Sequence, residues 1–195
     1  MKKTIKSISL GCVAAAVLFT SSHAFAGKDD VVGIHHFSEY GKYINKKLGW
    51  DAESDSEEYS WDKSATVQAD SSYKVEGTIS YKFDINKGWS RWVLKMKGKN
   101  TVDFSPYKKI KFAISSDSVN ELAVIFQDLD NNHKKIPLKD LGFKKDGKFH
   151  TITVKTSDLK KAGIDLKKIN TLIQISWGGI QKGSFFNLDD LHLEK

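Results

Sequence analysis

The chain has 195 residues, 28% of them charged, with a formal net charge of +7, two prolines and a single cysteine. One cysteine excludes a disulfide framework, so an apolar core must carry the fold, and this length fits one domain with room for such a core. The lysines fall in scattered doublets (46–47, 108–109, 134–135, 144–145, 160–161, 167–168) rather than in one stripe, which argues for a solvated surface and against nucleic acid as a partner.

The first segment reads as an export leader. Lys2, Lys3 and Lys6 precede an apolar run over residues 8–19, and Ala24-Phe25-Ala26 supplies the small-x-small pattern of a signal-peptidase site, predicting cleavage after Ala26. The run is too short for a transmembrane helix, and Cys12 lies too early in it to be a lipidated cysteine. A periplasmic or secreted domain over residues 27–195 is the expectation. Removing the leader with its three lysines leaves an excess of about four positive charges.

Residues 27–63 are irregular in pattern. Residues 40–48 suit a short helix or a loop, and the acidic, Ser-rich stretch 51–58 predicts a surface loop. From residue 65 the pattern turns to strands, predicted at 65–69, 78–85, 89–97, 109–115, 121–128, 148–155, 169–177 and 184–193. Asn86-Lys87-Gly88 and Asp130-Asn131-Asn132 mark turns, and 157–163 a helical turn with Ser157 as its cap. Short strands, few prolines and little helical periodicity predict an all-β fold. An antiparallel β-sandwich of the jelly-roll type fits the strand count.

In chain order the segments form a recognisable series. Glu76-Gly77-Thr78-Ile79-Ser80-Tyr81 precedes an aromatic strand, Gly88-Trp89-Ser90-Arg91-Trp92. Ser105-Pro106-Tyr107-Lys108-Lys109-Ile110-Lys111-Phe112, Val124-Ile125-Phe126-Gln127-Asp128 and Phe149-His150-Thr151-Ile152-Thr153-Val154 follow. The chain closes on Leu188-Asp189-Asp190-Leu191. Between residues 65 and 193 this order resembles the galactose-binding-domain-like jelly rolls of carbohydrate-binding modules, family 11 and its relatives above all. Phe149 stands where those modules carry Trp, and residues 27–63 do not match them.

The resemblance implies non-catalytic binding of a polysaccharide or oligosaccharide on one sheet face. Trp89, at a strand end, is placed to stack on a pyranose, with Arg91 as hydrogen-bond donor. Trp92 shares its face with Leu94 and Met96 and reads as core. Gln174 and Ser176 lie opposite Ile173, Ile175 and Trp177, so Gln174 faces outward, and Gln127 sits similarly in its strand, with Asp128 beside it as a further candidate. Side-chain amides suit vicinal hydroxyls because they both donate and accept. Trp177, before Gly178-Gly179, caps the core or rims the cleft. The resemblance also implies a structural calcium held by Asp189, an N-terminal acidic residue placed at Glu39, and backbone carbonyls near residues 76–80.

The histidines have no zinc-site spacing, and no nucleophile elbow, P-loop or dinucleotide fingerprint occurs. Two other readings remain open: a glycan-cleaving enzyme on a jelly-roll fold, with an unmarked acid pair or a Tyr, Lys or His base, and an envelope domain that binds protein.

Overall fold

The computed structural model describes residues 31–33, 55–75, 77 and 79–195. The expected leader and Glu39 lie outside them. The strands are β1 (Val31–Gly33), β2 (Ser56–Ser60), β3 (Ala65–Asp70), β4 (Ser80–Ile85), β5 (Ser90–Met96) and β6 (Lys109–Ser115). They continue with β7 (Leu122–Asp128), β8 (His133–Pro137), β9 (His150–Lys155), β10 (Ile169–Trp177) and β11 (Phe185–Glu194). All pairings are antiparallel. One sheet runs β3-β4-β11-β6-β9, with β1 also paired to β11, and the other runs β2-β5-β10-β7-β8. The predicted antiparallel all-β sandwich is the fold observed.

The core between the sheets follows from alternation. Trp92, Leu94 and Met96 on β5, Val124 and Phe126 on β7, and Phe83, Phe112, Phe186 and Leu188 on the facing sheet are all buried. Phe83 and Phe186 stack at 4.5 Å, and Trp92 of the opposite sheet meets Phe83 edge-on at 5.1 Å. Such pairs add about 0.5–1.5 kcal/mol beyond area burial, and Phe83→Ala at this junction would cost roughly 3–5 kcal/mol.

Three strands depart from the sequence expectation: β1, in the stretch read as irregular, and the two edge strands β2 and β8. The acidic stretch read as a surface loop contains β2, and β8 went unread. These two are short and largely exposed, so neither shows the alternation that marks a half-buried strand. The helix α1 (Thr156–Lys161) starts one residue early and is not capped by Ser157. The Thr156 hydroxyl instead donates to the Tyr107 carbonyl at 2.7 Å.

The outer faces of the two sheets differ. Over the β4-β11-β6 side, residues 71–75 are tied down. The Tyr73 carbonyl accepts from the Ser80 hydroxyl at 2.6 Å, its ring stacks on Phe149 at 4.7 Å, and its hydroxyl donates to the Gly147 carbonyl. The outer face of the β5-β10-β7 side is a platform with a buried centre at Val93, Ala123, Thr171 and Gln174 and half-exposed Arg91, Lys95, Ile125, Gln127 and Ser176 around it.

Candidate functional site

Residues paired across strands point to the same side, so register gives the platform row by row. One row reads Glu57, Lys95, Thr171, Gln127, His133. The next reads Tyr59, Val93, Gln174, Ile125, Lys135, and the third Arg91, Ser176, Ala123, Pro137. Irregular pairing in β10 between Thr171 and Ile173 shifts its alternation, which puts both Thr171 and Gln174 on this side. Trp89 stands just beyond the third row.

Trp89 is 74% exposed although it is the largest kind of side chain. It is held in place from below. A Cβ at Gly178 would come within 2.3 Å of the Trp89 ring, so the ring lies against bare backbone that only glycine provides. The loop beneath is fixed by the Ile180 amide, which donates to the Gly88 carbonyl at 3.1 Å.

A second aromatic, Trp61, is 52% exposed and enters from the β2–β3 connection. There Asp62 and Lys63 both take positive φ, 55° and 50°, which disfavours side-chain-bearing residues and is kept only where surrounding contacts enforce it. The contacts are present. The Trp61 carbonyl accepts from the Ser64 amide at 3.1 Å and the Ser90 hydroxyl at 3.0 Å, and Asp62 pairs with Lys87. The Arg91 guanidinium lies over the Trp61 ring, 4.5 Å from its centroid. Trp61, Trp89, Arg91, Gln174 and Lys135 line one shallow groove, in which no Asp or Glu takes part.

Gln174 forms part of the groove floor. It is only 5% exposed, and among the described residues its side-chain amide has no hydrogen-bond partner. Native proteins rarely leave a buried amide unpaired, because each unmatched group costs about 1–3 kcal/mol. The Gln174 amide is not among the fully buried unpaired polar atoms of the described residues, so it reaches the groove, where water or a bound ligand meets its hydrogen-bonding capacity.

The sequence-predicted residues therefore divide. Trp89, Arg91 and Gln174 converge on the groove. Gln127 is on the same face but two rows further along, roughly 20 Å from Trp89 at ~3.4 Å per residue, and its amide donates to Asn131 Oδ1 at 2.7 Å. Asp128 is corrected: it points inward, is buried, and accepts from the backbone amides of Asp130, Asn132 and Asp165 and from the Asn132 side chain, all at 2.9–3.0 Å. Burial pushes its pKa up, but these donors more than offset that and hold it below the ordinary carboxylate value. It is a turn clamp with no oxygen to spare for sugar. Trp177 does both things the sequence left open: it caps the core and borders the groove. It is 4% exposed, packs against Phe186, and spends its indole N–H on the Lys87 carbonyl at 2.9 Å, so it supports the groove from the core side.

Tyr59, Trp61, Lys135 and Gly178 were missed. Tyr59-Ser60-Trp61 was a legible signal, two aromatics at the edge of an acidic stretch, and Lys135 was hidden in a doublet read as solvated.

Asp189, the expected calcium ligand, is fully buried. Its Oδ2 accepts from the Val75 amide at 2.6 Å and its Oδ1 from the Asp190 amide at 2.8 Å. Asp190 has φ 51°, and the pairing of β11 with β6 shifts register there, so Leu-Asp-Asp-Leu is a bulge with Asp189 turned inward. Calcium needs six to eight oxygen ligands, whereas the described residues offer one carboxylate already met by two N–H donors. Among them no group of three metal-binding side chains occurs. The described donor set does not by itself fit calcium.

No protein-family model matches the chain, and no curated protein matches it in sequence. Solved structures do match in fold. The family 30 carbohydrate-binding module of the cellulosomal cellulase Cel9D-Cel44B of Clostridium thermocellum superposes with a TM-score of 0.56 at 16% identity, over 72% of this chain and 91% of that one. The family 11 carbohydrate-binding module of the cellulosomal cellulase Lic26A-Cel5E of the same organism gives 0.50 at 16% identity, over 72% and 87%. The chain is thus built on the β-sandwich of these carbohydrate-binding modules.

Proposed function

We propose that this protein is a non-catalytic saccharide-binding module, exported from the cell, which holds a poly- or oligosaccharide in the groove between Trp61, Trp89 and Lys135. The observation that carries this reading is Gln174, an almost buried amide with no partner among the described residues, lying in the groove that Trp89 borders. A pyranose has an apolar face of C–H groups and a rim of hydroxyls. The face stacks on an exposed indole, and the hydroxyls both donate to and accept from an amide. Arg91 and Ser176 add donors beside it. The similarity in fold to modules named as carbohydrate-binding supports the same reading.

Hydrolysis of a glycan requires two carboxyl groups flanking the scissile bond. The groove lining contains none, so binding without cleavage is what its chemistry supports. Among the described residues no helix is long and apolar enough to cross a membrane, which is compatible with export by the leader read from residues 1–26.

Affinity electrophoresis against a panel of glucans, mannans, xylans, chitin derivatives and acidic glycans tests the proposal. Retardation by at least one polymer, abolished in Trp89→Ala, is the expected result. Unretarded migration in every gel would overturn it, and capture of an envelope protein insensitive to competing sugar would favour a protein partner instead.

A further inference from the structure

The groove's charge is one-sided, and this names the class of sugar. We propose that the groove takes a glycan bearing carboxylates, a uronate polymer or oligomer; this rests on the saccharide-binding reading above. Two cations flank Gln174. Arg91 is on β5 and Lys135 on β8, three strand spacings apart, or roughly 14 Å at ~4.8 Å each. Among the described residues neither has a carboxylate within ion-pair distance.

Other strand-borne cations of this molecule do have one. Lys82 pairs with Asp84 at 3.2 Å, Lys95 with Glu57 at 3.1 Å and Lys111 with Glu194 at 2.7 Å. Lys95 shares the platform but lies a row outside the groove and has its acid. Lys134 and Lys155, also outside the groove, have none among the described residues. What sets Arg91 and Lys135 apart is that both line one groove with the exposed Trp89.

Arg91 is also placed by a cation–π contact: its guanidinium carbon lies over the Trp61 ring, 4.5 Å from the centroid, and a guanidinium's fork of N–H donors matches a planar carboxylate with two parallel hydrogen bonds. A wholly neutral sugar would use neither charge. With an indole exposed at one end and the amide between the cations, the groove offers stacking for the ring, hydrogen bonds for hydroxyls and two positive sites for acid groups on successive units.

The test uses polygalacturonate and alginate, the carboxyl-reduced form of the first, neutral mixed-linkage β-glucan, and dextran sulfate as a polyanion without uronate. Affinity is measured by calorimetry and gel retardation at low and moderate salt. A uronate polymer is expected to bind at least tenfold more tightly than its carboxyl-reduced form. Arg91→Met and Lys135→Met should each lower that affinity about fivefold and lower affinity for the reduced polymer by less than half as much. Lys135 is exposed on an edge strand, so its variant keeps the test valid even if Arg91→Met disturbs Trp61.

Equal or tighter binding of a neutral glucan would overturn the preference for acid while leaving saccharide binding standing. Dextran sulfate binding as well as uronate, unaffected by Trp89→Ala, would overturn it in favour of diffuse surface charge. Binding to none of the polymers would remove both proposals together.

Discussion

The two outer sheet faces treat polar groups in opposite ways. On the side covered by residues 71–75, the buried polar side chains are matched by protein. Asn187 donates to Asp70 and Ser80, at 3.2 and 3.1 Å, and Asp189 takes two backbone N–H groups. Glu194 collects Lys111 at 2.7 Å and Lys109 at 3.7 Å. On the open side Gln174 has no partner among the described residues, and Arg91 and Lys135 have no acid. A matched polar group stabilises the fold, whereas an unmatched one is a cost the fold tolerates because something else is bound. Substitutions on the two faces should therefore separate stability from binding.

The largest effect is expected on the closed side. Asp189→Ala leaves two buried amides without an acceptor and should cost about 3 kcal/mol of folding free energy. For a domain of this size that is roughly 10 °C in melting temperature by calorimetry, with the affinity of the remaining folded protein unchanged. In the same scans EDTA should leave the wild-type midpoint within about 2 °C. A larger calcium-dependent rise would show that donors outside the described residues complete a site around Asp189.

On the open side the order of effects reverses. Trp89→Ala should lower glycan affinity by about thirtyfold, near 2 kcal/mol, the range of an aromatic hot spot, with an unchanged melting temperature. Gln174→Met is a sharper probe. It removes an unpaired amide and keeps the volume, so folding stability should hold or rise while affinity falls about tenfold. Loss of stability in that variant would mean that the amide has a structural partner, and the contrast between faces would fail. Gly178→Ala should weaken binding several-fold through the ring of Trp89 alone, because the new methyl occupies the space where that ring rests.

The sequence carried the scaffold better than the site. Strands β4, β5, β6, β7, β10 and β11 were legible because each buries one face, and burial of alternate residues is what a period of two reports. The outward turn of Gln174 followed from the same alternation. The same alternation puts Asp128 opposite Gln127, on the inner side with Val124 and Phe126, but does not show its use there, by a turn that closes across residues 130–132 and 165. Trp61 lay hidden because its position depends on the β2–β3 connection, where two positive-φ residues swing an aromatic onto the face of a strand distant in sequence. Contacts of that kind are set by the tertiary fold and leave no local periodic signal.

The smallest effect tests whether charge on the closed face serves stability. His192 is buried, with Nδ1 2.9 Å from Asp190 Oδ1 and Nε2 3.4 Å from Glu194 Oε1. Burial alone would depress its pKa, but the hydrogen bond and charge of Asp190, helped by Glu194, raise it above the ordinary 6.5. Burial likewise works against the Glu194 carboxylate, and Lys111 and His192 more than offset it, holding its pKa below the ordinary 4.5. A raised histidine contributes stability that is full below 6.5 and fades as pH rises through its folded value, whereas a lowered glutamate contributes above 4.5 and fades as pH falls through its own. Both are present between those limits. Urea unfolding of wild type and His192→Gln from pH 5 to 9 should thus show the difference between them shrinking as pH rises through the histidine's raised folded value. Parallel curves would mean that the imidazole is not charged in the fold, and that this face is held by packing and backbone hydrogen bonds rather than by its ion cluster.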